Sequence, residues 1–171
     1  MERIAKFEKV SFEQYSEAVR GIAPERSDDE IRSLYDGIKL PKRATEGSAG
    51  YDFYAPFPIR IEPGAQVLIP TGIRVRIEAG YVLMLFPRSG LGFKYRLQLN
   101  NTAGVIDSDY YNAANEGHIF CKLTNDTRDG KTVEINAGDG LVQGIFLPFG
   151  ITEDDDAHAQ RTGGFGSTTG K

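Results

Sequence analysis

Cysteine and histidine are scarce in this chain of 171 residues: one cysteine and two histidines. Cys121 has no partner for an internal disulfide, so a reducing compartment, the cytoplasm, is expected. Its apolar setting in HIFCKL points to a small core residue. His118 and His158 are far apart and lack the ligand spacing of a structural zinc site. Ser89 has no histidine near it in sequence, which leaves a hydrolase triad without support. There is no cluster of basic residues, and the formal net charge is −4. Both argue against direct binding of duplex nucleic acid, though not against a small anion held by a few local cations. No apolar run approaches the ~20 residues of a membrane span, and the opening MERIAKFEKV is charged throughout, unlike a signal peptide.

What is present is ordinary for a globular chain: 40% hydrophobic and 26% charged residues, enough for one domain with a real core. Ser11 precedes Gln14 and Ser27 precedes Glu30 by three residues, the spacing of a helix capping box. Short helices are expected at 12–20 and 28–36, joined near Pro24, within a helical N-terminal extension over residues 1–39. From Leu40 the pattern changes to short runs rich in β-branched and aromatic residues, at 66–70, 72–78, 81–86, 96–100, 118–124, 131–135 and 141–148. Glycine-bearing turns separate them, which predicts an all-β sandwich, jelly roll or barrel over residues 40–152. An acidic run, Glu153 to Asp156, leads into a glycine-rich tail within residues 153–171.

Five segments have compositions that packing does not demand. Ala49-Gly50-Tyr51-Asp52 is the first. Pro87-Arg88-Ser89-Gly90-Leu91-Gly92 follows an apolar strand; it suits an anion cradle, or a turn whose arginine forms a salt bridge. In Asn101-Thr102-Ala103-Gly104-Val105-Ile106-Asp107-Ser108-Asp109-Tyr110, an extended chain places Asp107 and Asp109 on one face. Such a pair serves a metal or a general base, or simply decorates a solvated hairpin tip. Gly138-Asp139-Gly140-Leu141-Val142-Gln143 is a turn entering a strand. The tail, Arg161-Thr162-Gly163-Gly164-Phe165-Gly166-Ser167-Thr168, combines an arginine for phosphate, glycines that let backbone approach closely, and a ring that can stack. By composition alone the tail reads first as a disordered terminus. Its spacing does not make a Walker A loop.

In this order the five segments resemble the five motifs of the homotrimeric dUTP diphosphatases, over residues 40–171. The resemblance implies a jelly-roll-like β-barrel, a homotrimer with active sites between subunits, and hydrolysis of dUTP to dUMP and diphosphate. That reaction limits uracil in DNA and supplies dUMP for dTMP synthesis. It also implies Mg2+, with Asp52 reaching the ion through water. Asp107 would be the general base that activates the attacking water, and Asp109 a more structural neighbour. Arg88, Ser89, Gly90 and Gln143 would hold the phosphates. Asn101, with Gly104, Ile106 and the rest of the hairpin backbone, would read uracil. Tyr110 would exclude a 2′-hydroxyl by collision. The tail would close over the nucleotide, with Arg161 on the γ-phosphate, Phe165 over the base, and Gly164, Gly166, Ser167 and Thr168 in close contact.

The chain departs from the family pattern in three places. Gly140 stands where a basic residue is usual, Arg161 lies four rather than five residues before Phe165, and extra residues follow Tyr110. A dCTP deaminase or a bifunctional deaminase–diphosphatase shares the fold, but PRSGLG and Phe165 fit the diphosphatase pattern instead. A regulatory trimer that binds a protein partner is the alternative of another class; the intact Asp107, Tyr110, Arg161 and Phe165 favour catalysis.

Overall fold

The computed structural model describes residues 2–158 and Gly163. The tail positions Arg161, Gly164, Phe165, Gly166, Ser167 and Thr168 lie outside the described residues. The chain opens with β1 (Ala5–Lys9), α1 (Phe12–Ile22) and α2 (Asp28–Gly37). Strands β2 (Lys42–Arg43), β3 (Tyr51–Tyr54), β4 (Ile59–Ile61), β5 (Gln66–Pro70), β6 (Ile73–Ile77) and β7 (Tyr81–Pro87) follow. Then come α3 (Ser89–Tyr95), β8 (Leu97–Leu99), β9 (Gly104–Ile106) and a 3-10 helix over Ser108–Asn112. The described β structure ends with β10 (Phe120–Asn125), β11 (Val133–Ile135) and β12 (Gly140–Pro148).

The seven sequence-predicted strands form, and the fold is all-β and jelly-roll-like. Its largest sheet runs β2-β3-β12-β7-β9, and smaller sheets pair β5-β10-β8, β11-β4 and β1-β6. Alternation does what the pattern demands. In β6, Ile73, Val75 and Ile77 are buried while Arg76 is exposed. Leu83 and Leu85 of β7, Leu141 and Val142 of β12, and Leu123 of β10 meet in the core. Cys121 is fully buried, and burial pushes its thiol up to about 12, so it remains protonated and inert.

The N-terminal forty residues contain a strand as well as two helices. Strand β1 pairs antiparallel with β6, with Glu8 opposite Arg74. Its Phe7 ring lies 5.3–5.7 Å from those of Tyr51, Phe53 and Phe146. The extension thus reaches the two strands, β3 and β12, that carry candidate site residues. Helices α1 and α2 pack together and bury Tyr15, Val19 and Ile31 completely. Ser27 and Glu30 form the expected reciprocal capping box. At Ser11 only half of the expected box forms: its hydroxyl accepts from Gln14 N–H at 3.1 Å. Its own N–H donates instead to the Glu116 carboxylate, 105 residues away, at 2.7 Å.

His118 is fully buried, and its ring centroid lies 4.4 Å from that of Phe120. Its Nε2 accepts from Gly72 N–H at 2.9 Å, which a protonated ring cannot do. Burial holds its pKa down at about 4, opposed weakly by Glu116. Folded pKa below unfolded pKa means that the unfolded chain binds the extra proton as pH falls below ~6.5. The stabilisation is therefore complete above that pH and is lost on acidification. We expect a loss of about 2 kcal/mol between pH 7 and pH 5, before the carboxylates titrate. Denaturant unfolding at the two pH values measures it. His118→Asn should flatten the profile in that window, and an equally steep profile in the variant would assign the loss to other groups.

Candidate active site

Strand β12 lies between β3 and β7. Gln143 stands opposite Asp52 on one side and Phe86 on the other. Directly opposed residues share a sheet face, so Asp52 and Gln143 occupy one row. Arg88 follows the end of β7, and its Nε lies 3.1 Å from Asp52 Oδ1. Its Nη1 reaches the Gly140 carbonyl oxygen at 3.4 Å. Gln143 Nε2 donates to the Pro87 carbonyl at 3.2 Å. Asp52, Arg88 and Gln143, drawn from three separate segments, are therefore one constellation.

A cleft of about 340 Å³ opens beside it, lined by Arg88, Ser89, Gly90, Glu134, Asp139 and Gly140 among others. Ser89 and Gly90 are not in a turn: they begin α3, with Arg88 as N-cap. First-turn amides of a helix have no intrahelical acceptor, which suits the expected contact with anions. Two glycines in SGLGFKY hid this helix, since glycine is a poor helix former. Glu134 is a lining residue that no motif indicated. Its carboxylate is paired with Arg60.

The departure at Gly140 has a local cause. A β-bulge shifts the β12–β3 register between Gly140 and Val142 and brings the backbone of Gly140 under the Arg88 guanidinium. A Cβ at position 140 would sit 2.0 Å from Arg88 Nη1 and 2.5 Å from its Cζ. The missing side chain is the space that Arg88 occupies.

The third motif stands elsewhere. Strand β9 pairs with β7 so that Ile106 faces Leu83 and Gly104 faces Leu85. Asp107 therefore follows at the level of Val82, six residues before Arg88. At ~3.3 Å per residue the two lie roughly 20 Å apart along the strand. Within one chain, Asp107 is not brought to Asp52, Arg88 and Gln143. The chain also leaves the extended form after Asp107, which caps the 3-10 helix at Ser108–Asn112. The alternation expected to align Asp107 with Asp109 does not continue past that point. Tyr110 is buried, at 3% exposure. The Ile106 side chain lies in the core, so its backbone is what it can offer a ligand. Asn101 is exposed in the turn before β9.

Comparison with known proteins decides the family. The dUTPase family model matches residues 36–169. This chain belongs to the dUTPase family. The deoxyuridine 5'-triphosphate nucleotidohydrolase of Lactococcus lactis subsp. lactis is 47% identical over 135 residues, covering 77% of this chain and 89% of that protein. That of Hahella chejuensis is 38% identical over 145 residues, 80% of this chain and 91% of its own. The crystal structure of the Streptococcus mutans dUTPase superposes with a TM-score of 0.63 at 38% identity, over 86% of this chain and 98% of that one. A mutant dUTPase of phage phi11 of S. aureus, described with a structural Mg(II) ion, shares the fold at a TM-score of 0.63 and 20% identity, over 92% of this chain and 98% of that one.

Gly140→Ala tests whether the glycine makes room for Arg88. The clash is with the end of a flexible side chain, so the melting temperature should hardly change. Arg88 should be displaced from Asp52, and kcat/KM for nucleotide hydrolysis should fall by about tenfold or more, the cost of one misplaced charge-assisted contact. Wild-type kinetics in the variant would show that Arg88 tolerates the displacement.

Proposed function

We propose that this chain hydrolyses dUTP to dUMP and diphosphate, as a homotrimer in which each site draws on more than one subunit. The junction of Asp52, Arg88 and Gln143 across β3, β7 and β12, in a chain of this family, carries the reading. The distant position of Asp107 supports the sharing of sites. A base on one chain meets the phosphate-binding groups of another if copies pack along the large sheet. That sheet offers a suitable face: Val82, Met84, Val105 and Leu147 sit at mutually paired positions of β7, β9 and β12. None of the four is buried, and Val105 and Leu147 are exposed. An apolar sheet face of this kind is what obligate association covers.

On this reading the Asp107 carboxylate takes a proton from water. The water oxygen bonds to the α-phosphorus as the bond to the bridging oxygen of diphosphate breaks in line. Arg88, the first-turn amides of α3 and the Gln143 amide hold the phosphate oxygens and stabilise the charge that builds on the leaving group. Asn101 and the hairpin backbone hold uracil, and Tyr110 forms the wall against the sugar. Arg161 and Phe165 of the tail, with Gly166 and Ser167, would close over the nucleotide and exclude all but the attacking water.

Magnesium fits the donor set. Among the described residues no three or more histidine, cysteine or acidic groups form a metal cage. Beside the cleft, whose lining also carries Glu134 and Asp139, the Asp52 carboxylate paired with Arg88 would reach through water an ion held mainly by triphosphate and water. When bound, magnesium draws negative charge from the phosphate oxygens.

Diphosphate release with magnesium from dUTP, UTP, dTTP and dCTP in parallel tests the activity, and release from dUTP alone is expected. Ammonia from dCTP would instead indicate a deaminase. Asp107→Asn should lower turnover by roughly 100- to 10,000-fold, the range of general-base catalysis, with dUTP affinity retained. The sharing of sites has its own test. Arg88→Ala and Asp107→Asn should each be nearly inactive alone, yet recover activity when unfolded and refolded together, since mixed assemblies then contain intact sites. No recovery would place Arg88 and Asp107 in the same chain's site.

A further inference from the structure

The extra residues after Tyr110 fold back onto the 3-10 turn that carries it. Tyr110 Oη donates to the His118 carbonyl oxygen at 2.7 Å and accepts from Asn115 Nδ2 at 2.8 Å. The same Asn115 amide reaches the His118 carbonyl at 3.3 Å. The phenol is thus engaged as donor and acceptor together, which sets the direction of its O–H as well as its place. Around it the ring is packed to 3% exposure.

Two left-handed residues bring the loop back. Glu116 has φ 57° and Gly117 φ 70°. A Cβ at position 117 would lie 2.7 Å from the Tyr110 carbonyl oxygen and 2.8 Å from Tyr111 Cα. Backbone meets backbone there, and glycine is required. Glu116 is not glycine, and its conformation is disfavoured; the extension holds it. Its carboxylate accepts from Ser11 N–H at 2.7 Å and from Ser11 Oγ at 2.6 Å. At the other end of the loop, Tyr111 Oη donates to Glu8 at 2.6 Å. The Arg74 guanidinium lies 4.3 Å from the Tyr111 ring centroid and 3.4 Å from Glu8. The N-terminal extension therefore grips the loop at residues 111 and 116, on either side of Asn115.

We propose that Asn115 is the positioning residue of the sugar wall, and that Ser11, through Glu116, braces it. The proposal rests on the reading of Tyr110 as the wall that excludes a 2′-hydroxyl. Exclusion by collision is only as strong as the wall is rigid: a ring free to move aside gives the extra oxygen room. Packing supplies part of that rigidity. The two-sided hold on the phenol supplies the rest, and its donor, Asn115, comes from the residues added after Tyr110.

The experiment measures kcat/KM for dUTP and for UTP with magnesium, on the full chain, and reads their ratio. Asn115→Ala should lower the dUTP preference about tenfold, and Tyr110→Phe by at least as much. The double variant should go no further than Tyr110→Phe, because both changes break the same contact. Ser11→Ala should move the ratio in the same direction by less. A purely structural asparagine would lower the melting temperature and leave the ratio alone. A wild-type ratio in Asn115→Ala, or full additivity in the double variant, overturns the proposal. If Asn115→Ala does not fold, the ratio in Ser11→Ala decides, and no change there overturns it. Tyr110→Ala separates the two levels. Should it keep the dUTP preference, the wall reading falls and the proposal with it. Should it lose that preference while Asn115→Ala and Ser11→Ala keep theirs, only the positioning role falls.

Discussion

The antiparallel pairing of β12 with both β3 and β7 sets where Asp52, Gln143 and the strand end leading to Arg88 stand. Gln143 is opposite Asp52 across one ladder and Phe86 across the other. A one-residue slip in either register would turn Gln143 or Asp52 into the core, because side chains alternate with a period of two. The core forbids that slip: Val142, Phe53, Leu83 and Leu85 are all buried at 1% exposure or less. The bulge near Gly140 is the one irregularity in the β12–β3 ladder. It lies where the backbone has to make room for Arg88. Hydrophobic burial thus specifies the polar constellation without any polar group needing to supply much stability.

On the proposed function, the neighbouring β7–β9 ladder is the reason one chain would not be enough. Strand β7 carries Arg88 at its end, while its partner β9 delivers Asp107 near its beginning. An antiparallel strand pair in this register cannot bring the two together, whatever rotamers they adopt. The half-exposed apolar face between them is then a consequence rather than an accident. If the proposed trimer forms, covering that face is what carries the base of one subunit toward the phosphate groups of the next.

Much of this was legible in the sequence, and the gaps have physical causes. The strands were legible because β-branched and aromatic runs alternate between glycine turns. Strand β1 was not, because AKFEK has one large apolar residue and its partner β6 lies some seventy positions on. Helix α3 was hidden by its glycines. The motifs named Asp52, Arg88 and Gln143, but their contacts depend on register, which spacing does not encode. Asn115 and Glu116 were invisible as positioning candidates for a related reason. Their residue types are common in loops, and their meaning comes from Tyr110 and Ser11. The apparent capping box at Ser11 was misleading: Glu116 takes the N–H that Gln14 was expected to cover.

The Asp52–Arg88 pair shows how a site can be preorganised without being locked. With 41% of the Arg88 side chain and 22% of that of Asp52 exposed, water screens their attraction, and such pairs contribute at most about 1 kcal/mol. That is enough to favour the guanidinium's place over Gly140. It is too little to compete with a polyphosphate, whose several charges make stronger, bidentate contacts with the same fork. On the proposed function, arrival of the triphosphate transfers Arg88 from carboxylate to phosphate. Asp52, so freed, would be the carboxylate that holds magnesium through water. On that reading one weak ion pair would favour the places of two groups and release both to the substrate.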